Sequence, residues 1–189
     1  MTVRLEKAQI DTALPRIKPG LNQYLSIQKD RYTGDIRSNR SFKRQFNHFY
    51  RVRRGVEWQS HFFALLESKK SRQTQFSEVF DALHKATNRY EASFASKLLA
   101  TINPSMPIID SIVLRNLNLK LPAWNTKNRL ARICELHSTL VVYFNDFLST
   151  EKGKYLVQQF HAMYPDADVT GIKILDLVLW QTRAPRDTQ

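Results

Sequence analysis

Apolar residues along this chain recur at steps of three and four, and that spacing predicts helices over most of its length. Phe42, Phe46, Phe49 and Tyr50 share one face of a helix that starts at Ser41 and is expected to end or kink at Gly55. Trp58, Phe62, Phe63, Leu65 and Leu66 mark the next, over 56–66. Phe76, Val79, Phe80 and Leu83 mark a third, with Thr74 as its expected N-cap. A helix over 92–102 stops at Asn103-Pro104, because proline disfavours helix at the residue before it. Pro107 keeps the following loop extended, and Asp110 or Ser111 is suited to cap a short helix over 112–117. A connection over 118–125 contains Pro122 and Trp124. Leu130, Ile133, His137, Leu140, Val141, Phe144 and Leu148 then line one face of a long helix over 126–148. Leu156, Phe160 and Met163 place another over 153–164, ended by Pro165, and Leu175, Val178 and Leu179 form the core edge of a last one over 172–180.

Residues 1–38 break this pattern. Pro15, Pro19, Gly20 and Gly34 punctuate them, so a loosely ordered N-terminal segment is expected, with one short packed turn or helix around Leu21, Tyr24, Leu25 and Ile27. Residues 183–189 read as a polar tail. No useful strand alternation, repeat or low-complexity segment is present. The expected fold is all-α, a helical bundle of about seven to nine helices forming a single domain over 39–182.

Composition adds an anionic partner to this picture. The 189 residues are 42% hydrophobic and 11% aromatic, enough for a true core and inconsistent with disorder. The formal charge is +12. Residues 1–60 carry 13 Lys/Arg against 5 Asp/Glu, so the excess is concentrated towards the N-terminal end. Lys43, Arg44, Arg51, Arg53 and Arg54 read as a basic helical surface, and Lys69, Lys70 and Arg72 can extend it through a loop. These are the candidate contacts to nucleic-acid phosphates; a merely solvated polar face is the competing reading. Cys134 is the only cysteine, which rules out an intrachain disulfide and a cysteine-based zinc site, and its apolar surroundings suggest a buried, inert thiol. His48, His61, His84, His137 and His161 lack metal-ligand spacing, and His137 reads as a core histidine. No metal and no cofactor are expected. With no signal-type or membrane-length apolar run, a soluble, cytoplasmic protein with no membrane partner is expected.

Two residues carry the sharpest chemistry. Lys97 sits at the flank of a stripe formed by Phe94, Leu98 and Ile102. There a lysine either snorkels to water or faces a semi-apolar cleft, where a desolvated amine can act as a nucleophile. Asp110 is either a helix cap alone or a cap that also stabilises positive charge developing on a sugar. Trp124, in a loop, is the candidate for stacking on a base, whereas Trp58 and Trp180 read as core anchors. No phosphate-binding glycine loop, nucleophile elbow or paired-carboxylate metal site is found.

The segment Ser93-Phe94-Ala95-Ser96-Lys97-Leu98-Leu99, then Asn103-Pro104, then Pro107-Ile108-Ile109-Asp110-Ser111, resembles bacterial 8-oxoguanine-glycosylase-like proteins of the helix-hairpin-helix DNA glycosylase superfamily. Lys173-Ile174-Leu175-Asp176 and Leu179-Trp180 are similar to that group's closing helix. The resemblance implies a cleft between helical lobes and double-stranded DNA as partner. It also implies a target base flipped from the duplex, Lys97 as an amine nucleophile at the anomeric carbon, a Schiff base with the opened sugar, and Asp110 as its charge-stabilising assistant. Such a protein would be a glycosylase and lyase of DNA repair. The superfamily places a glycine-rich, phosphate-holding hairpin just before its lysine. Tyr90-Glu91-Ala92-Ser93-Phe94 stands there instead, and Glu91 is expected to repel phosphate. A catalytically inactive nucleic-acid-binding or protein-interaction domain is the alternative expectation.

Overall fold

The structure is a computed structural model that describes residues 3–182; the expected polar tail at 183–189 lies outside them. Every regular element among the described residues is helical. In chain order these are α1 (Lys7–Ala13), a 3-10 turn (Leu14–Ile17), α2 (Lys18–Asp30), α3 (Arg40–Phe49), α4 (Val56–Lys69), α5 (Phe76–Thr87), α6 (Ala92–Ile102), α7 (Ser111–Asn116), α8 (Arg129–Ser149), α9 (Glu151–Met163) and α10 (Gly171–Gln181). The all-α expectation holds. No helix among the described residues is long and apolar enough to cross a membrane.

Residues 7–30 are helical: the expected short helix around Leu21, Tyr24 and Ile27 is part of α2, and helical structure extends further towards the N-terminus than the expectation of a loose segment allowed. Pro15 falls in the opening of the 3-10 turn and Pro19 in the first turn of α2, where the missing N–H costs nothing and the fixed φ suits a helix. The prolines therefore start helices here rather than break them. Ile10, Ala13, Leu14, Ile17, Leu21, Tyr24 and Ile27 are all buried.

Contacts divide the chain into two compact units: one made of Met1–Lys18 with Pro104–Gln189, the other of Pro19–Asn103. In the first unit α10 is the central element. Eight consecutive residues, Ile172 to Leu179, are buried, as in a helix surrounded on all sides. The 3-10 turn, α7, α8 and α9 pack on it. The N-terminal residues are tied in by polar bonds, among them Tyr164 Oη donating to the Leu14 carbonyl at 2.8 Å and Tyr155 Oη to Asp11 at 2.9 Å.

His137 on α8 is a core histidine, as its position on the apolar face suggested. It is buried, and its Nε2 lies 3.2 Å from the Pro107 carbonyl, an acceptor only, so Nε2 carries the proton. Burial pushes the imidazole down to about 4 from 6.5, against a smaller opposing effect of the Pro107 bond. The unfolded chain thus takes up a proton below about 6.5 that the native state refuses until about 4, so stability is full above this window and is lost as pH falls through it. Between pH 7 and pH 5 the wild type is expected to lose about 2 kcal/mol more than His137→Gln in urea unfolding. Equal losses in the two proteins would contradict a buried neutral His137.

In the second unit an aromatic core joins α3 and α4. Phe46 lies 5.3 Å from Phe62 and 5.5 Å from Phe63 between ring centroids, and all three are fully buried. α6 packs against α5 and α4, and its residues Ala95 to Thr101 are buried without a break. The carbonyl of Thr101, in the last turn of α6, accepts from Gln28 at 3.3 Å and from the Arg31 guanidinium, which offsets the negative end of the helix.

Candidate functional site

Lys97 stands midway along α6, carried there by the run of small and apolar residues that lets the helix be buried. It is only 8% exposed. Its Nζ donates to the Tyr50 carbonyl at 3.3 Å and lies 5.1 Å from the Phe94 ring centroid and 5.9 Å from that of Tyr50. Of the two sequence readings, snorkelling to water is therefore the one the geometry disfavours. Phe94, one helical turn earlier, was legible as a neighbour from its spacing. Tyr50 was not, because its contact comes from 47 residues away.

The Phe94 ring is shared by a second cation. The Arg54 guanidinium lies 5.3 Å from it and 6.0 Å from the Trp58 ring. Arg54 also grips Glu91 through two bonds of 3.1 Å, with Glu91 just 6% exposed. Glu91, the N-cap of α6, is paired with Arg54, whose side chain remains about a third exposed.

The helical basic surface is also revised. α3 ends at Phe49, not Gly55, because Arg51 adopts a positive φ of 53°. Val52 N–H donates to the Asn47 carbonyl at 2.9 Å and Arg51 N–H to that of His48 at 3.3 Å, which completes a left-handed helix terminus with arginine where glycine is usual. Lys43 and Arg44 therefore sit on a helix and Arg51, Arg53 and Arg54 follow it in a connection, so they cannot share one helical sector. Lys43 Nζ lies 5.7 Å from the Phe63 ring, while Arg44, Arg51 and Arg53 are exposed. No Asp or Glu occurs between Asp35 and Glu57, so these cations face solvent with no acid in their own segment. At the end of α4 and in the loop after it, Lys69 pairs with Glu78 at 3.4 Å and Lys70 with Glu67 at 2.9 Å, whereas Arg72 is exposed and belongs to neither pair. Thr74, expected to cap α5, instead donates its hydroxyl to Glu78 at 2.8 Å, and Gln75 takes the cap position.

Asp110 belongs to the other unit. Its carboxylate accepts from the Ile112 N–H at 2.8 Å and caps α7, as its position before an apolar run suggested. Asp110 is half-buried. Trp124 is 81% exposed, with the Arg129 guanidinium 5.4 Å from its ring. Cys134 is half-buried rather than buried; burial, with a smaller effect of Glu135, raises its thiol above the usual range. Among the described residues no group of three or more His, Cys, Asp or Glu could hold a metal ion. Comparison of the chain with protein-family models, characterised proteins and solved structures finds no match.

Proposed function

We propose that the chain is a DNA-binding protein of glycosylase/lyase type that acts on a damaged or modified base, with Lys97 as its amine nucleophile and Asp110 as its assisting carboxylate. The observation that carries this reading is the placement of the Lys97 amine: largely shielded from solvent, bordered by the Tyr50 and Phe94 rings, and fixed on the buried helix α6. An amine withdrawn from bulk water on a rigid element is the kind of group that forms Schiff bases. The exposed Arg44, Arg51 and Arg53 would hold duplex phosphates, and duplex binding would weaken steeply with salt.

The neutral amine attacks C1′ of the target nucleotide, and the C1′–N bond breaks. The base leaves with the bonding pair and takes up a proton. Opening of the sugar gives an imine between Lys97 Nζ and C1′. Loss of a C2′ proton then expels the 3′ phosphate, and water releases the lysine. Asp110 offsets the positive charge that develops on the sugar.

The test is borohydride trapping on duplex DNA carrying oxidised bases or an abasic site. Wild type is expected to form a covalent adduct, and Lys97→Ala to lose it by at least about a hundredfold, with an unchanged melting temperature as a check on folding. Equal trapping by both proteins, or none on the abasic duplex, would sink the lyase reading. The second reading, a binding domain without chemistry, draws on the commitment of Arg54 to Glu91 where the superfamily holds a phosphate. It is favoured if salt-dependent duplex binding persists while trapping is absent.

A further inference from the structure

A pocket of about 310 Å³ opens within the second unit, away from Lys97 along α6. It is formed by three pieces of chain: Tyr32 after α2, the 70–74 loop between α4 and α5, and Ile102 with Asn103 at the end of α6. Its volume lies at the small end of the range for ligand sites, about 300–1,000 Å³, and exceeds what a lone oxyanion needs.

The lining combines three chemistries. Arg72 supplies positive charge, while Lys70 is held by Glu67 at 2.9 Å, which offsets its charge, and by the Gly34 carbonyl at 2.8 Å. Ser71 adds a hydroxyl donor. Negative groups around it are partnered: Glu67 with Lys70 and the Ile36 N–H, Glu78 with Thr74 and Lys69, and the Thr101 carbonyl of α6 with Arg31 and Gln28. Tyr32 then supplies a ring that remains 55% exposed, although the Arg31 guanidinium lies 4.6 Å from its centroid and so occupies one of its faces. A cation on one face of an aromatic ring is a good backing for a π-system laid on the other.

We propose that this pocket takes one nucleotide of a single strand, with its phosphate against Arg72 and Ser71 and its base against Tyr32. The ligand class rests on the nucleic-acid reading above; the site itself stands on its own lining. It gives the protein a contact to unpaired nucleic acid that is separate from both the Lys97 amine and the basic segment around α3.

The test measures anisotropy of a labelled oligothymidine with the full-length protein. Tyr32→Ala is expected to weaken binding roughly fivefold or more, as loss of one base–aromatic stack does, while Tyr32→Phe retains it. Arg72→Gln is expected to lower the slope of log affinity against log salt by about 0.7, one phosphate contact on a single strand. Both residues are exposed, and a melting curve identifies any variant that has lost its fold. Unchanged binding by Tyr32→Ala overturns the proposal. So does an equal loss against inorganic polyphosphate, which would show a charge effect without a base, and so does thymidine monophosphate binding as tightly as the oligomer, which would identify a free nucleotide instead of a strand. Trapping on abasic duplex in the same preparations separates the two readings. Wild type without trapping but with Tyr32-dependent binding refutes the lyase and keeps the pocket, and the reverse result refutes the pocket alone.

Discussion

Gly153→Ala is expected to destabilise the protein by more than about 3 kcal/mol, the range reached when overpacking leaves no atom free to yield. A Cβ at this position would lie 2.1 Å from the Phe147 carbonyl oxygen and 2.5 Å from the Leu148 Cα. Both are backbone atoms, so no rotamer change relieves the clash. The reason is the tightness of the corner between α8 and α9, which a single residue, Thr150, turns. Its N–H donates to the Phe147 carbonyl at 3.0 Å, closing α8, while its Oγ1 accepts from the Gly153 N–H at 3.1 Å, capping α9. Its hydroxyl also donates to the Phe147 carbonyl at 2.6 Å. An alanine methyl would have to push the two helices apart through these bonds. Gly55→Ala is the matched control, because nothing lies within 4 Å of a Cβ there, and its effect is expected to stay within about 0.5 kcal/mol. Urea unfolding followed by circular dichroism measures both. A Gly153→Ala midpoint equal to that of wild type would mean the corner is looser than described.

The second large effect concerns the charged pair inside α10. Lys173 Nζ and Asp176 Oδ2 are 2.6 Å apart, and their side chains are 3% and 2% exposed. The lysine amine also lies 5.1 Å from the Trp180 ring. Removing one partner from such a pair leaves the other charge in a low-dielectric interior, a cost of about 3–5 kcal/mol. Lys173→Met is therefore expected to lower stability by that amount. The double variant Lys173→Met with Asp176→Leu is expected to regain most of it, because methionine and leucine bury well and no isolated charge remains. The four proteins of the cycle, compared by urea unfolding, give the coupling directly. A double variant no more stable than Lys173→Met would show that the aspartate is needed for something other than its lysine.

What was readable in the sequence depended on how local its cause was. The apolar face of α8, the Pro-marked end of α6 and the Asp110 cap were all legible, since each is settled by residues within one or two turns. The helix around Leu21, Tyr24 and Ile27 was legible from its apolar spacing, whereas α1 and the 3-10 turn were not, since Pro15 and Pro19 read as breakers although their place at helix starts makes them compatible with helix. The end of α3 was missed because an arginine occupies the left-handed position where glycine is the usual signal. Within the candidate site, Lys97 was singled out, yet the company it keeps was not: the Tyr50 carbonyl and the Arg54–Glu91 pair join residues 47 and 37 positions apart. The i,i+3 spacing of Lys173 and Asp176 was visible, but an ordinary surface pair has the same spacing, and only the packing around α10 distinguishes the two.

The division of the chain leaves its two units with unequal demands on assembly. The unit of Pro19–Asn103 is continuous, whereas the other is split, with its first eighteen residues waiting on elements that begin beyond residue 104. The ion pair between Lys152 and Glu6, at 2.6 Å, closes a separation of 146 residues. Loops of that length are slow to close, and an N-terminal piece made early on the ribosome has no native partner until the C-terminal half emerges. During synthesis the continuous unit is thus able to form first, and the apolar face of α1, with Ile10 and Ala13, is left for the last helices to cover.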